Sequence, residues 1–252
     1  MIDRNLVLAI KKIMVKAGHI ALNTRKQGIE VEWKNDNSPV TNADKEISLF
    51  IFNELSNLTP KIPIICEERS IVAINKNKQF WLIDPIDGTK SFIKNKDSFT
   101  VNIALIDKQL AAYGFVYQPA RGILYFTDEN QKFCIEKNGV AMDQNIHKQE
   151  GFVAVVSSNN FNLVTANYLK ENNFSEVIAV PSSLKLCMIA EGAGDVFPKF
   201  GSTMEWDIAA GHALIRAVGG DIHVLTGDLM LYAKENFKNP YFIAANKKWL
   251  DT

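Results

Sequence analysis

Net charge is the first thing this sequence lacks: Lys+Arg and Asp+Glu are both 28 in 252 residues. No global field recruits nucleic acid or an anionic membrane, so affinity for a highly charged ligand has to be local. Cysteine is scarce, with Cys66, Cys134 and Cys187 far apart and odd in number. Without a C-x-x-C pair, zinc and a disulfide framework are not expected, and reduced thiols in a cytosol are. No apolar run approaches the ~20 residues of a membrane span. The N-terminal LVLAI stretch meets Lys11-Lys12 at once and does not read as a signal peptide. These absences lead to the expectation of a soluble cytoplasmic protein, with peripheral attachment to the inner face of the cell membrane left open, as is monomer or homodimer. The histidines His19, His147, His212 and His223 show no metal spacing and are assigned no chemistry.

A hydrophobic content of 47% is ample for a large core. Leu6, Ile10, Ile13, Ala17 and Ile20 repeat at helical spacing, so roughly 3–26 reads as an amphipathic helix. GIEVEW follows as a short strand, and a second helix opens near Thr41 with Ile47, Phe50, Ile51, Leu55 and Leu58 on one face. KIPIIC reads as a strand ending in Glu67-Glu68, and 97–136 as an antiparallel meander. After Gly151, strands (FVAVVSS, EVIAV, DVFPKF) alternate with helices at 162–172, 182–193 and 207–218. No linker or repeat interrupts the chain. The expectation is one compact unit of two fused lobes, an α+β lobe over 1–145 and an α/β lobe over 146–252, with the seam near 140–150.

Acidic residues cluster at strand ends and helix starts: Glu67-Glu68, Asp84/Asp87 and Glu205/Asp207. Singly, each has a plain explanation: a solvated loop, a turn before Pro85, a helix N-cap at Asp207. The stretch FWLIDPIDGTKSF (80–92) is harder to dismiss. An apolar run ends in two aspartates three residues apart; Pro85 is expected to stop the ladder, and Gly88 to let backbone approach a ligand. Carboxylates about 4 Å apart repel by roughly 4 kcal/mol at an effective dielectric near 20. The segment holds no Arg or His, so a divalent cation is the simplest compensation. Oxygen ligands, with the Ile86 carbonyl between Asp84 and Asp87, suit Mg²⁺. Adding Glu67 and Asp207 provides for two cations and points to phosphoryl chemistry. The Gly88 and Thr89 amides could cradle phosphate, and the Thr89 hydroxyl could orient water; Thr89 as a plain N-cap is compatible with both.

WLIDPIDGTKSF, the upstream EE and the downstream EWDIAAGHALIRAVGG resemble the inositol monophosphatase superfamily of Mg²⁺-dependent, lithium-sensitive phosphatases. DNSPVTNADKEI (36–47), FTVNIALID and SSLKLCMIAEG (182–192) are most similar to its bacterial bisphosphate-nucleotidase branch. The resemblance implies a layered αβαβα sandwich with two or three Mg²⁺ per site. It makes Glu67, Asp84, Asp87, Asp207 and the Ile86 carbonyl metal ligands, with Glu68 supporting them. Asp44 and Thr89, with Glu67, become the groups that prepare the catalytic water for in-line attack. The implied substrate is adenosine 3′,5′-bisphosphate, cleaved to AMP and phosphate, a by-product of sulfate assimilation and an entry to nucleotide salvage. Gly88, Thr89, Lys90, Ser182, Ser183, Lys185, Glu205 and Asp207 are the expected substrate contacts. A capped helix with a solvated Lys185 stays the alternative for the SSLK segment, and Lys94 and Lys96 read as solvated. Cys66, Pro181 and Lys199 depart from the pattern, the last standing where arginine is usual; Lys cannot reproduce a bidentate guanidinium contact.

Three rivals remain at this stage. An aspartyl-phosphate phosphatase would need its aspartates two residues apart rather than three, without an intervening proline. A related inositol or fructose phosphatase would share the metal site and differ in substrate. An idle, metal-dependent nucleotide sensor would bind without turnover, although every proposed ligand and Thr89 is in place.

Overall fold

The computed structural model describes residues 2–34, 36–69, 74–143, 150–158 and 162–252. Most of the expected 140–150 seam, together with His147, lies outside them. Helix α1 (Arg4–Gln27) starts where the Asp3 side chain accepts from Leu6 N at 2.8 Å, and it buries Val7, Ile10, Met14, Ala17 and Ala21 at helical spacing. Strands β1 (Val31–Trp33) and β2 (Pro39–Thr41) form an antiparallel hairpin. Helix α2 (Asn42–Leu58) follows at once, with Thr41 as its N-cap. Strand β3 (Ile64–Cys66) pairs in parallel with β4 (Phe80–Asp87), which leads into the short helix α3 (Thr89–Ile93). The expected meander is β5 (Thr100–Asp107), β6 (Leu110–Gln118), β7 (Ile123–Thr127) and β8 (Phe133–Lys137), and a fifth strand the sequence did not suggest, β9 (Val140–Met142), extends it. Together, β3 to β9 make one seven-stranded sheet in sequence order.

The second half alternates as expected: β10 (Val153–Ser157), α4 (Leu163–Glu171), β11 (Glu176–Val180), α5 (Leu184–Glu191), β12 (Val196–Lys199) and α6 (Glu205–Ala217). It then adds three elements the sequence reading omitted: β13 (Asp221–Val224), β14 (Phe242–Ala245) and α7 (Lys247–Leu250). The second sheet is five-stranded, ordered β11-β10-β12-β14-β13.

Period-2 burial stacks these parts into five layers. In β4, Trp81 and Ile83 join the core beneath α1 and α2, whereas Phe80 and Leu82 join the core that holds α5 and α6. Phe197 of β12 and Phe242 of β14 enter that second core from the other sheet, while Val196 and Ala245 turn outward toward Trp249 of α7. The order is therefore α1/α2, large sheet, α5/α6, small sheet, α4/α7, the expected αβαβα sandwich. Gly114 of β6 lets α6 lie on the sheet, since a Cβ there would sit 2.1 Å from the Ala210 carbonyl oxygen. The two halves share one core, so the site can draw residues from both. Among the described residues, no helix is long and apolar enough to cross a membrane.

Candidate active site

The register of the large sheet builds the site. Cys66 pairs with Ile83, and Glu67 N donates to the Ile83 carbonyl at 3.1 Å, so Glu67 and Asp84 leave adjacent parallel strand ends. Pro85 does not terminate β4 as the sequence suggests. It shifts the register between Asp84 (opposite Asn102) and Asp87 (opposite Thr100), and the strand resumes. A proline without N–H fits at such an irregularity. Gly88 then turns left-handed at φ +89° to start α3; a Cβ there would meet Ser182 Cβ and the Ser98 carbonyl oxygen, both at 3.2 Å. Thr89 Oγ1 donates back to the Ile86 carbonyl at 3.0 Å. Asp207 arrives from the first turn of α6, where its carboxylate accepts from Met204 N at 2.8 Å. It is thus inside the helix and reaches back, rather than being the N-cap itself. Oxygen atoms of Glu67, Asp84 and Asp207 lie within 4.8 Å of one another.

These carboxylates are held against their own repulsion. Burial, then Glu67, Asp87, Asp207 and Asp44 as like charges, keeps the Asp84 carboxyl well above the ordinary range. Its Oδ1 is buried and has no hydrogen-bond partner among the described residues. Burial, with Asp87 and Glu67 adding, pushes Asp207 up to about 8. Glu67 rises to about 7, through burial first, although Lys34 Nζ donates to it at 2.9 Å and to Glu68 at 2.6 Å. Burial works against the Lys34 ammonium too, but the pull of both glutamates outweighs it and raises its pKa. One ammonium offsets part of the charge at Glu67 and none of the orphaned oxygen at Asp84.

The same cluster opens onto a cleft of about 270 Å³. Ser38, Pro39, Gly88, Thr89, Lys90, Ser182, Ser183, Lys185 and Lys199 line it along with Glu67, Asp87 and Asp207. Burial lowers both lysines of this lining, Lys185 to about 8.

The family model described as the inositol monophosphatase family matches residues 3–252. The chain belongs to the inositol monophosphatase family. The 3′(2′),5′-bisphosphate nucleotidase CysQ of Buchnera aphidicola subsp. Acyrthosiphon pisum is 36% identical over 250 residues, which is 96% of this chain and 94% of that protein. The protein of the same name from Escherichia coli strain K12 is 37% identical over 217 residues, 85% of this chain and 88% of its own length. Among solved structures, CysQ from Bacteroides thetaiotaomicron superposes with a TM-score of 0.83 at 32% identity, covering 97% of this chain and 98% of its own. The family resemblance read from the sequence extends over the chain.

In this inositol monophosphatase family member, several expected contacts take other roles. Glu205 is fully buried outside the cleft lining; its carboxylate accepts from Ala233 N at 2.9 Å and Lys234 N at 2.8 Å and pairs with Lys234 Nζ at 2.8 Å. It ties a loop to α6, and its placement argues against a substrate contact. Ser183 turns its hydroxyl onto Asp87 Oδ2 at 2.5 Å. Lys185 is not solvated: it is buried, donates to the Ser182 carbonyl, and lies over the Phe197 ring at 5.2 Å. Asp44 is buried, but its Oδ2 accepts from Thr41 N and Thr41 Oγ1 in a capping box, while Thr89 Oγ1 donates to the Ile86 carbonyl. Burial, with Glu68 adding, raises Asp44 to about 6. Sequence reasoning missed Lys34, whose place in the polar run KNDNS reads as solvent-facing.

Proposed function

We propose that the chain is a Mg²⁺-dependent phosphomonoesterase that removes the 3′-phosphate of adenosine 3′,5′-bisphosphate to give AMP and phosphate. The observation that carries the chemistry is Asp84 Oδ1, a buried carboxylate oxygen without a hydrogen-bond partner among the described residues, set among converging carboxylates. Hard oxygen donors fit Mg²⁺, and Glu67, Asp84, Asp87, Asp207 and the Ile86 carbonyl would hold two or three ions. When bound, the cation supplies Lewis acidity at the phosphoryl oxygens and lowers the pKa of water. The substrate is supported by the relatives named 3′(2′),5′-bisphosphate nucleotidase.

The chain's own groups then divide the work. Thr89 spends its hydroxyl hydrogen on Ile86, leaving lone pairs that accept from the attacking water and orient it. One proton of that water passes to a carboxylate of the Glu67/Asp44 pair, the bond from phosphorus to the ribose 3′-oxygen breaks as the bond to the water oxygen forms, and the departing 3′-oxygen takes a proton from solvent. The Gly88 and Thr89 amides face the transferred phosphate at the start of α3. Lys185, Lys199 and Ser182, with Lys90 at the rim, receive the second phosphate. Such a reaction would clear the bisphosphate left by sulfate activation and return AMP to nucleotide salvage.

Phosphate release from adenosine 3′,5′-bisphosphate, inositol 1-phosphate and fructose 1,6-bisphosphate, each with Mg²⁺, with chelator and with added Li⁺, tests this. Fast, Mg²⁺-dependent and lithium-sensitive release from the nucleotide alone is expected. Preference for a sugar or inositol phosphate would keep the metal chemistry and reassign the substrate. Binding without release from any of them would leave a sensor.

A further inference from the structure

Of the four tryptophans in the chain, Trp81 and Trp206 are buried, and Trp249 packs against Phe152 and Phe174. Trp33 is 68% exposed. A single exposed apolar side chain needs no explanation by itself; the position of this one does. Trp33 stands directly opposite Pro39 in the β1–β2 hairpin, and opposed residues of an antiparallel pair share a face. Pro39 and its neighbour Ser38 line the cleft. The preceding residue, Glu32, projects to the other face and pairs with Lys45 of α2 at 2.7 Å. The following residue, Lys34, reaches Glu67 and Glu68 and anchors this end of the strand at the acidic cluster. On its other side, β2 packs against α3, the helix that begins at Thr89.

Among the described residues, the cleft lining offers one aromatic ring, Phe197. That ring is buried, covered by the Lys185 ammonium at 5.2 Å and set edge-on to Phe242 at 5.8 Å. Phosphates and ribose have abundant polar partners in this cleft, whereas among the described residues of its lining a planar base meets no free aromatic face. We propose that Trp33 is the platform on which the base of the bound nucleotide stacks, so that the hairpin carries specificity for a nucleoside over a base-free phosphate; this rests on the bisphosphonucleoside reading above. Base–aromatic stacking of this kind tolerates any base and requires only an exposed π face.

The test compares wild type, Trp33→Ala and Trp33→Phe as full chains with Mg²⁺. AMP and ribose 5-phosphate, which differ by the base, serve as competing inhibitors. Trp33→Ala is expected to weaken AMP by roughly 5- to 100-fold and to leave ribose 5-phosphate unchanged. Trp33→Phe should restore AMP binding while removing the AMP-induced quenching of tryptophan fluorescence. Equal weakening of both inhibitors, or of neither, would overturn the stacking role even with nucleotide turnover intact. Absence of phosphate release from adenosine 3′,5′-bisphosphate by the wild type would overturn the substrate proposal, and this inference with it.

Discussion

Ser183 and Asp87, ninety-six residues apart, share a hydrogen bond in which Ser183 Oγ donates to Asp87 Oδ2 over 2.5 Å. Asn102 Nδ2 on β5 donates in turn to Ser183 Oγ at 2.8 Å. The start of α5, in the second half of the chain, thus positions a carboxylate at the end of β4, in the first. Ser183→Ala removes a bond to a charged group and strands the Asn102 amide, a loss of about 1.5–3 kcal/mol. If Asp87 needs that bond to keep its place, kcat should fall roughly 10- to 100-fold, with Ser183→Thr recovering part of it. An unchanged kcat in a destabilised Ser183→Ala protein would show that Asp87 is held without Ser183.

Asp87→Asn separates chemistry from folding. Asp87 lies at the cleft lining among like charges that bear on Asp84 and Asp207. Removing its charge relieves repulsion and leaves the shape, so turnover should vanish while the thermal midpoint stays where it was or rises. Activity lost together with a collapsed melting curve would make Asp87 a structural residue.

Asp84→Asn tests the cation directly. Without a cation, the wild type keeps a buried carboxyl with an oxygen that has no partner among the described residues, which costs free energy that an amide avoids in part. In chelator, the variant should therefore melt at or above the wild type. Mg²⁺ at about 100 times its Kd stabilises the wild type by ~2.7 kcal/mol, which is about 5–11 °C for a chain of this size. That shift should disappear in Asp84→Asn. An equal Mg²⁺ response in both proteins would place the cation elsewhere.

How much of this was legible depends on whether a residue's role is local. The FWLIDPIDGT segment announces itself because a two-face-buried strand, a proline irregularity and a left-handed glycine are all written in consecutive residues. The α1 stripe is equally local. Strands β13 and β14 were missed because each has four residues: β13 fully buries only Ile222, and β14 is fixed by a partner far back along the chain, with Val196 opposite Ala245. Lys34 carries no signal in the sequence, and Lys185 reads there either as a substrate contact or as a solvated lysine. Only the fold brings Glu67 to the first and lays the second over Phe197. Glu205 is the converse case: an acidic residue beside Asp207 reads as a substrate contact until the loop at Ala233 and Lys234 claims its carboxylate.

His212 yields a pH signature distinct from the catalytic carboxylates. It is buried on α6, with Nε2 2.7 Å from Asp221 Oδ1 and Nδ1 2.9 Å from the Tyr232 hydroxyl. Burial lowers its pKa, against the pull of Asp221, while Arg216 and His223 add like charge. A neutral ring donating to Asp221 and accepting from Tyr232 satisfies all three groups. An unfolded histidine titrates near ~6.5, so below that pH the unfolded chain binds a proton that the native state resists. The His212 contribution is therefore complete above about pH 6.5 and is lost as pH falls toward the lower native value, with a limiting slope of about 1.4 kcal/mol per pH unit. Glu67, Asp44 and Asp207, with raised pKa values, shift stability in the opposite sense, so the wild type alone does not isolate it. The difference between wild type and His212→Gln in urea midpoint does: it should be largest at pH 7.5 and shrink by pH 5.5. A difference that stays constant over that range would mean that the native ring accepts its proton as readily as the unfolded one.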